Sequence, residues 1–125
     1  MENIHNTIVI PCADTYEFLK LKDIVRLESL QNYTRIFMLN GDKFISSKNI
    51  GKYKKELEEQ GFYHCHKSHI INVSLIRKYY KTGYCLMADS SNVPVSRRRK
   101  QDFITEVILS AQLPSRNSYL ESEMV

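Results

Sequence analysis

The chain has 125 residues, 42% of them hydrophobic, and a formal net charge of +4. That allows one domain with a modest core and excludes two, and no apolar run approaches the roughly 20 residues that span a bilayer as a helix. The charge is uneven: from Gln60 to Lys100 eight Lys or Arg stand against one acid, Asp89, which leaves the rest mildly acidic and marks that stretch as a surface for a polyanion.

In chain order, alternation with period two predicts strands over Thr15 to Leu21 and Tyr33 to Leu39. The second runs into Asn40-Gly41, a hairpin signal expected as a type I′ turn that pairs Tyr33–Leu39 with Lys43–Ser46. A helix is predicted from Lys48 to Gln60, capped by Ser47 and ended by Gly61, with Ile50, Tyr53 and Leu57 on its buried face. Strands resume at Phe62–Cys65, Ile70–Ile76, Tyr84–Ala88 and Val93–Val95, with turns at Thr82-Gly83 and Asp89–Asn92. A last helix is predicted from Arg97 to about Ala111, with Phe103, Ile104, Val107 and Ile108 as its apolar face, and the polar stretch from Leu113 to Val125 reads as a frayed tail. Short strands with one or two helices indicate a mainly β fold over a doubly wound one.

The N-terminus has acidic Glu2 and no apolar stretch, unlike a signal peptide, so a cytoplasmic protein is expected. Cys12, Cys65 and Cys85 are odd in number and without paired spacing, which argues for reduced thiols. The chain has no G-x-S-x-G elbow, no H-E-x-x-H and no Gly-rich phosphate loop, so no enzyme is expected. His64, Cys65, His66 and His69 are rich in potential metal ligands, but neither Cys12 nor Cys85 supplies a second spaced pair, so neither metal nor cofactor is expected.

Several pieces in order carry a family pattern: Asp23-Ile24-Val25-Arg26-Leu27-Glu28-Ser29, the turn entry Asn32-Tyr33-Thr34, the helix start at Ser47, the run from Phe62 through His66-Lys67-Ser68 to Asn72, and Pro94-Val95-Ser96-Arg97-Arg98. With that pattern the chain, over about Tyr16 to Val107, resembles a LytTR-type DNA-binding domain. The resemblance implies a compact stack of small β-sheets with one prominent α-helix and a short C-terminal helix, set in a domain over 16–110 between an N-terminal segment (1–15, with the first strand) and a C-terminal tail (111–125). It implies a module that inserts loops, not a recognition helix, into successive major grooves. Members are usually the output half of bacterial two-component response regulators and bind paired direct repeats in double-stranded promoter DNA. The residues before Tyr16 leave no room for a receiver domain, so an excised effector or a stand-alone regulator is expected.

The three contact loops correspond to Asn32–Arg35, His66–Ser68 and Ser96–Arg99. Within them Asn32, Thr34 and Arg35 are candidates for the groove, Lys67 for guanine or phosphate, Ser68 and His66 for phosphate, Arg98 for a base edge, and Arg97 and Arg99 for phosphate. Basic residues disfavour a helix N-terminus, which argues that helix stability is not what places the arginines there. Ser47 and Lys48 offer a helix start and a cation to a phosphate. Asn72, between Ile71 and Val73, reads as structural, because a buried amide must find internal partners. Cys65, beside His64, His66 and Lys67, is a candidate redox-sensitive thiol. The alternative function is a small basic module that binds an acidic protein or RNA without duplex specificity.

Overall fold

The computed structural model describes residues 6–112. Strands β1 (Thr7–Pro11) and β2 (Tyr16–Lys20) form an antiparallel hairpin. Strands β3 (Ile24–Leu30), β4 (Tyr33–Met38), β5 (Lys43–Ser46), β6 (Phe62–His66) and β7 (His69–Asn72) make a five-stranded sheet in the order β5-β4-β3-β7-β6. Helix α1 (Ile50–Glu56) connects β5 to β6. Strands β8 (Ile76–Tyr80), β9 (Tyr84–Met87) and β10 (Asn92–Pro94) form a third sheet, followed by α2 (Lys100–Phe103), a wider π-helical stretch (Ile104–Leu109) and α3 (Ser110–Gln112).

Neighbouring residues on a strand point to opposite faces, and the central sheet uses this to bury apolar side chains on both sides. Ile24, Leu27, Ile36 and Ile70 face one layer, where Ile8, Ile10 and Leu19 of the hairpin and Tyr53 and Leu57 of α1 cover them. Val25, Cys65 and Ile71 face the other, where they meet Cys85, Met87, Val93 and Val95 of the small sheet and Phe103 and Val107 of the C-terminal helix. The fold is therefore three layers: hairpin with α1, central sheet, and small sheet with the C-terminal helix. The mainly β architecture expected from the sequence is what the structure shows.

Several local expectations need correction. At the β4–β5 hairpin only Gly41 has positive φ (+98°), and its N–H donates to Met38 O at 3.0 Å, so the turn begins at Met38 and Asn40-Gly41 is not a type I′ pair. Helix α1 is shorter than predicted: Asn49, not Ser47, caps it by accepting from Lys52 N at 3.1 Å. Glu59 (φ +63°) and Gly61 (φ +87°) turn the chain back after it. The strand expected over Ile70–Ile76 is cut in two by a 3-10 turn at Val73–Leu75, because Asn72 accepts from Ser74 N and starts the turn. Arg97–Arg99 form a separate 3-10 turn ahead of the last helix, so the arginines are not its first turn. Of the apolar faces expected on the two helices, Tyr53, Leu57, Phe103 and Val107 are buried, while Ile50, Ile104 and Ile108 are only partly so. The tail lies, from residue 113, outside the described residues.

Candidate nucleic-acid interface

The register of the central sheet brings the end of β3, the start of β4, the end of β5 and the β6–β7 turn to one edge, since Leu30 pairs with Tyr33, Thr34 with Ser46, and Glu28 with His69. The first loop reverses at Gln31 (φ +57°) and leaves Asn32 and Tyr33 exposed. The second is tight: Ser68 N donates to His66 Nδ1 at 3.0 Å, and the His66 and His69 rings meet edge to face at 5.2 Å. Lys67 stands exposed at its tip. Ser29 N donates to Ser68 O at 2.8 Å, which ties the first loop's strand to the second loop.

The third loop reaches the same edge from the small sheet. Ser96 N donates to Cys65 O at 2.8 Å, and Arg99 N closes the turn onto Ser96 O at 3.0 Å. A shallow cleft of about 280 Å³ results, lined by His64, His66, Lys67, Ser96, Arg98 and Arg99. Arg97 and Arg98 are exposed. Arg99 is turned inward beside His64 and Tyr63, whose hydroxyl donates to Asp102 at 2.5 Å. Burial lowers the His64 and His69 pKa below the ordinary imidazole value, so both are neutral at pH 7. The cleft's positive charge then comes from Lys67, Arg98 and Arg99.

Other expected site residues have internal work. Thr34 is 0% exposed and donates to Lys48 O at 2.7 Å, so it locks the first loop to the end of β5 and does not face the groove, a correction to its candidacy. Arg35 is partly exposed and lies 3.6 Å from Glu28, which also faces Arg26 at 3.6 Å. Arg26 in turn covers the Phe37 ring at 3.7 Å. Ser47 donates from its N–H to Pro11 O at 2.9 Å and joins β5 to the hairpin, so the helix-start phosphate site expected at Ser47 is not formed. Lys48 Nζ meets Glu56 at 2.6 Å and lies 4.8 Å from the Tyr53 ring. The sequence reading missed His64 as a cleft residue and Glu28 as the partner that holds Arg35. The Glu28–Arg35 pair becomes visible once the tight turn after Leu30 sets the register.

Cys65 has the environment of an unreactive thiol. It is 0% exposed, its Sγ–H points to Pro94 O at 3.4 Å, and burial pushes its pKa up to about 12, as it does for Cys85. Desolvation outweighs the nearby Arg99 charge. With a neutral thiol at pH 8, Cys65 and Cys85 are expected to resist Ellman's reagent in the folded protein and to react fully in denaturant, while partly exposed Cys12 reacts first. Labelling of Cys65 at the rate of a free thiol would contradict this placement.

The structure is thus a layered β domain that gathers three polar loops, with Lys67, Arg97 and Arg98 exposed on them, at one end of its central sheet. The model of the LytTR DNA-binding domain family matches residues 14–107, so the chain belongs to that family. It is a DNA-binding domain of the kind that works in transcription regulation. Its fold matches that of the LytTr DNA-binding domain of a response regulator from Bacillus cereus, with a TM-score of 0.70 at 19% identity over 80% of this chain and 94% of that one. No curated protein matches the chain. Among the described residues no helix is long and apolar enough to cross a membrane.

Proposed function

We propose that this domain reads double-stranded promoter DNA by setting its β6–β7 turn and its Ser96–Arg99 loop into the major groove, with the Asn32 turn beside them. The observation that carries the reading is the single cleft shared by Lys67 and Arg98. Two long cations at one sheet edge reach neighbouring base edges, and guanine O6 and N7 are the acceptors that suit them. His66 in the cleft, and Asn32, Arg35, Ser68 and Arg97 on the same three loops, serve as positioning and phosphate contacts. The module works without catalysis or cofactor, in the cytoplasm of a bacterium, as the output of a two-component response regulator. Two copies occupy direct repeats about one helical turn apart, on one face of the duplex.

Enrichment of bound duplexes from a random pool at near-physiological salt tests this, because salt at that level suppresses purely electrostatic binding. A repeated motif is the expected result. Retention of RNA or of an acidic protein with no duplex motif would overturn the reading in favour of an interaction module.

The cations also differ in what their removal should do. Lys67→Ala is expected to reduce the slope of log affinity against log salt by about one. Lys48→Ala should lower affinity evenly across sequences but move the slope by less, because Glu56 already neutralises its ammonium. Salt titrations of the two variants on one duplex check the order.

A further inference from the structure

Two apolar surfaces lie outside the DNA-facing edge, one on each outer layer of the fold. On the outer face of the hairpin, Tyr16 and Phe18 are 73% and 72% exposed, and Val9, the cross-strand neighbour of Phe18, is 39% exposed. Side chains this large are seldom left in water together on a small protein without a partner. In the cleft beside Phe18 and Leu39 the two acids Asp23 and Asp42 stand with Lys20, and Asp14 lies in the hairpin turn. In the opposite layer, an open groove of about 700 Å³ runs between β8 and the C-terminal helix, with Ile76, Phe103, Ile104 and Ile108 in its wall. Its rim is basic, with Arg77, Lys78, Lys81 and Lys100.

We infer that the aromatic hairpin face of one copy seats in the basic-rimmed groove of a second copy, in a head-to-tail contact. This rests on the proposed reading of direct repeats and deepens it. Copies on direct repeats share one orientation along the duplex, so no two-fold axis relates them and any contact between them joins two different surfaces. The fold supplies such a pair: the hairpin packs on one face of the central sheet, and the groove belongs to the layer on the other. An apolar knob with acids meets an apolar groove with cations, so shape and charge agree. Two hairpin faces set against each other would oppose like charges.

Zero-length carbodiimide coupling of the full chain, mixed as light and ¹⁵N-labelled copies, tests the contact. Peptides joining Asp14 or Asp42 of one label to Lys78, Lys81 or Lys100 of the other are expected. No such peptides, or hairpin-to-hairpin products in their place, would overturn the proposal. The coupling needs no DNA, so its outcome stands whatever the domain reads. On duplexes carrying one or two copies of the enriched motif, the charge-neutral changes Phe18→Ser on the hairpin face and Ile104→Ser in the groove wall should each leave one-site affinity unchanged. Each should abolish a gain at the second site of about 5- to 150-fold. An equimolar mixture of the two variants should restore part of the gain, because in one of the four placements on the two sites the intact knob meets the intact groove; a mixture that binds no better than either variant alone would exclude a head-to-tail arrangement. Loss of one-site binding by either variant would show that the altered face serves DNA binding itself and would overturn the proposal.

Discussion

Arg98→Ala is expected to weaken binding to the preferred duplex by about 5- to 150-fold, the equivalent of the 1–3 kcal/mol that a bidentate arginine–guanine pair contributes. The same change should cost much less on duplexes already altered at the contacted base, so the variant relaxes specificity at one position. The reason lies in the cleft. Arg98 is exposed and shares it with Lys67. Arg99, next in sequence, is turned toward Tyr63 and His64 and stabilises the loop from behind. Arg99→Ala is therefore expected to loosen the loop and lower affinity without shifting base preference. Binding curves on a panel of single-base variants separate the two, and an even loss for Arg98→Ala across the panel would remove Arg98 from base reading.

Asn72→Ala should cost about 3 kcal/mol of folding stability or more, read as a lower midpoint in urea at unchanged slope. The side chain is 4% exposed and uses its whole hydrogen-bonding capacity. Its Nδ2 donates to Leu21 O at 3.2 Å and Ile24 O at 2.9 Å, while Oδ1 accepts from Ser74 N at 3.1 Å and Ser74 Oγ at 2.8 Å. Removing it strands two carbonyls at the root of β3 and frees the turn that ends β7. Asn72→Leu, close in size, should fare little better, because apolar volume does not satisfy the carbonyls. Stability within about 0.5 kcal/mol of the parent would show that water or a rearranged turn replaces the amide, at the scale expected for a surface change.

Local pattern and local chemistry were legible in the residues. The faces of α1 and of the C-terminal helix followed from spacing alone, since apolar residues three and four apart on a helix share a side. Asn72 read as structural because an amide between Ile71 and Val73 has to find partners inside. The basic stretch and the three loops were legible through the family resemblance, which the match over residues 14–107 bears out for the family. Boundaries were less legible. Asn49 and Ser47 are both competent caps, and the choice fell to Asn49 because Pro11 O, thirty-six residues away, takes Ser47. Nothing near Ser47 in the sequence announces that partner.

The sequence by itself determined the mainly β class, the two buried helix faces, the charge imbalance and the family, because these depend on residue type and on spacing within one element or motif. Tertiary structure alone decided which polar side chains at the loop edge face outward. Thr34 and Arg35 are neighbours, yet strand alternation and the pairing with β5 put Thr34 on Lys48 O inside, while Arg35 stays partly exposed against Glu28. Cys65 lies beside His64, His66 and Lys67 in sequence, yet the small sheet closes over it, so burial sets its thiol. In each case the deciding partner comes from another strand, and only the folded register brings it within reach.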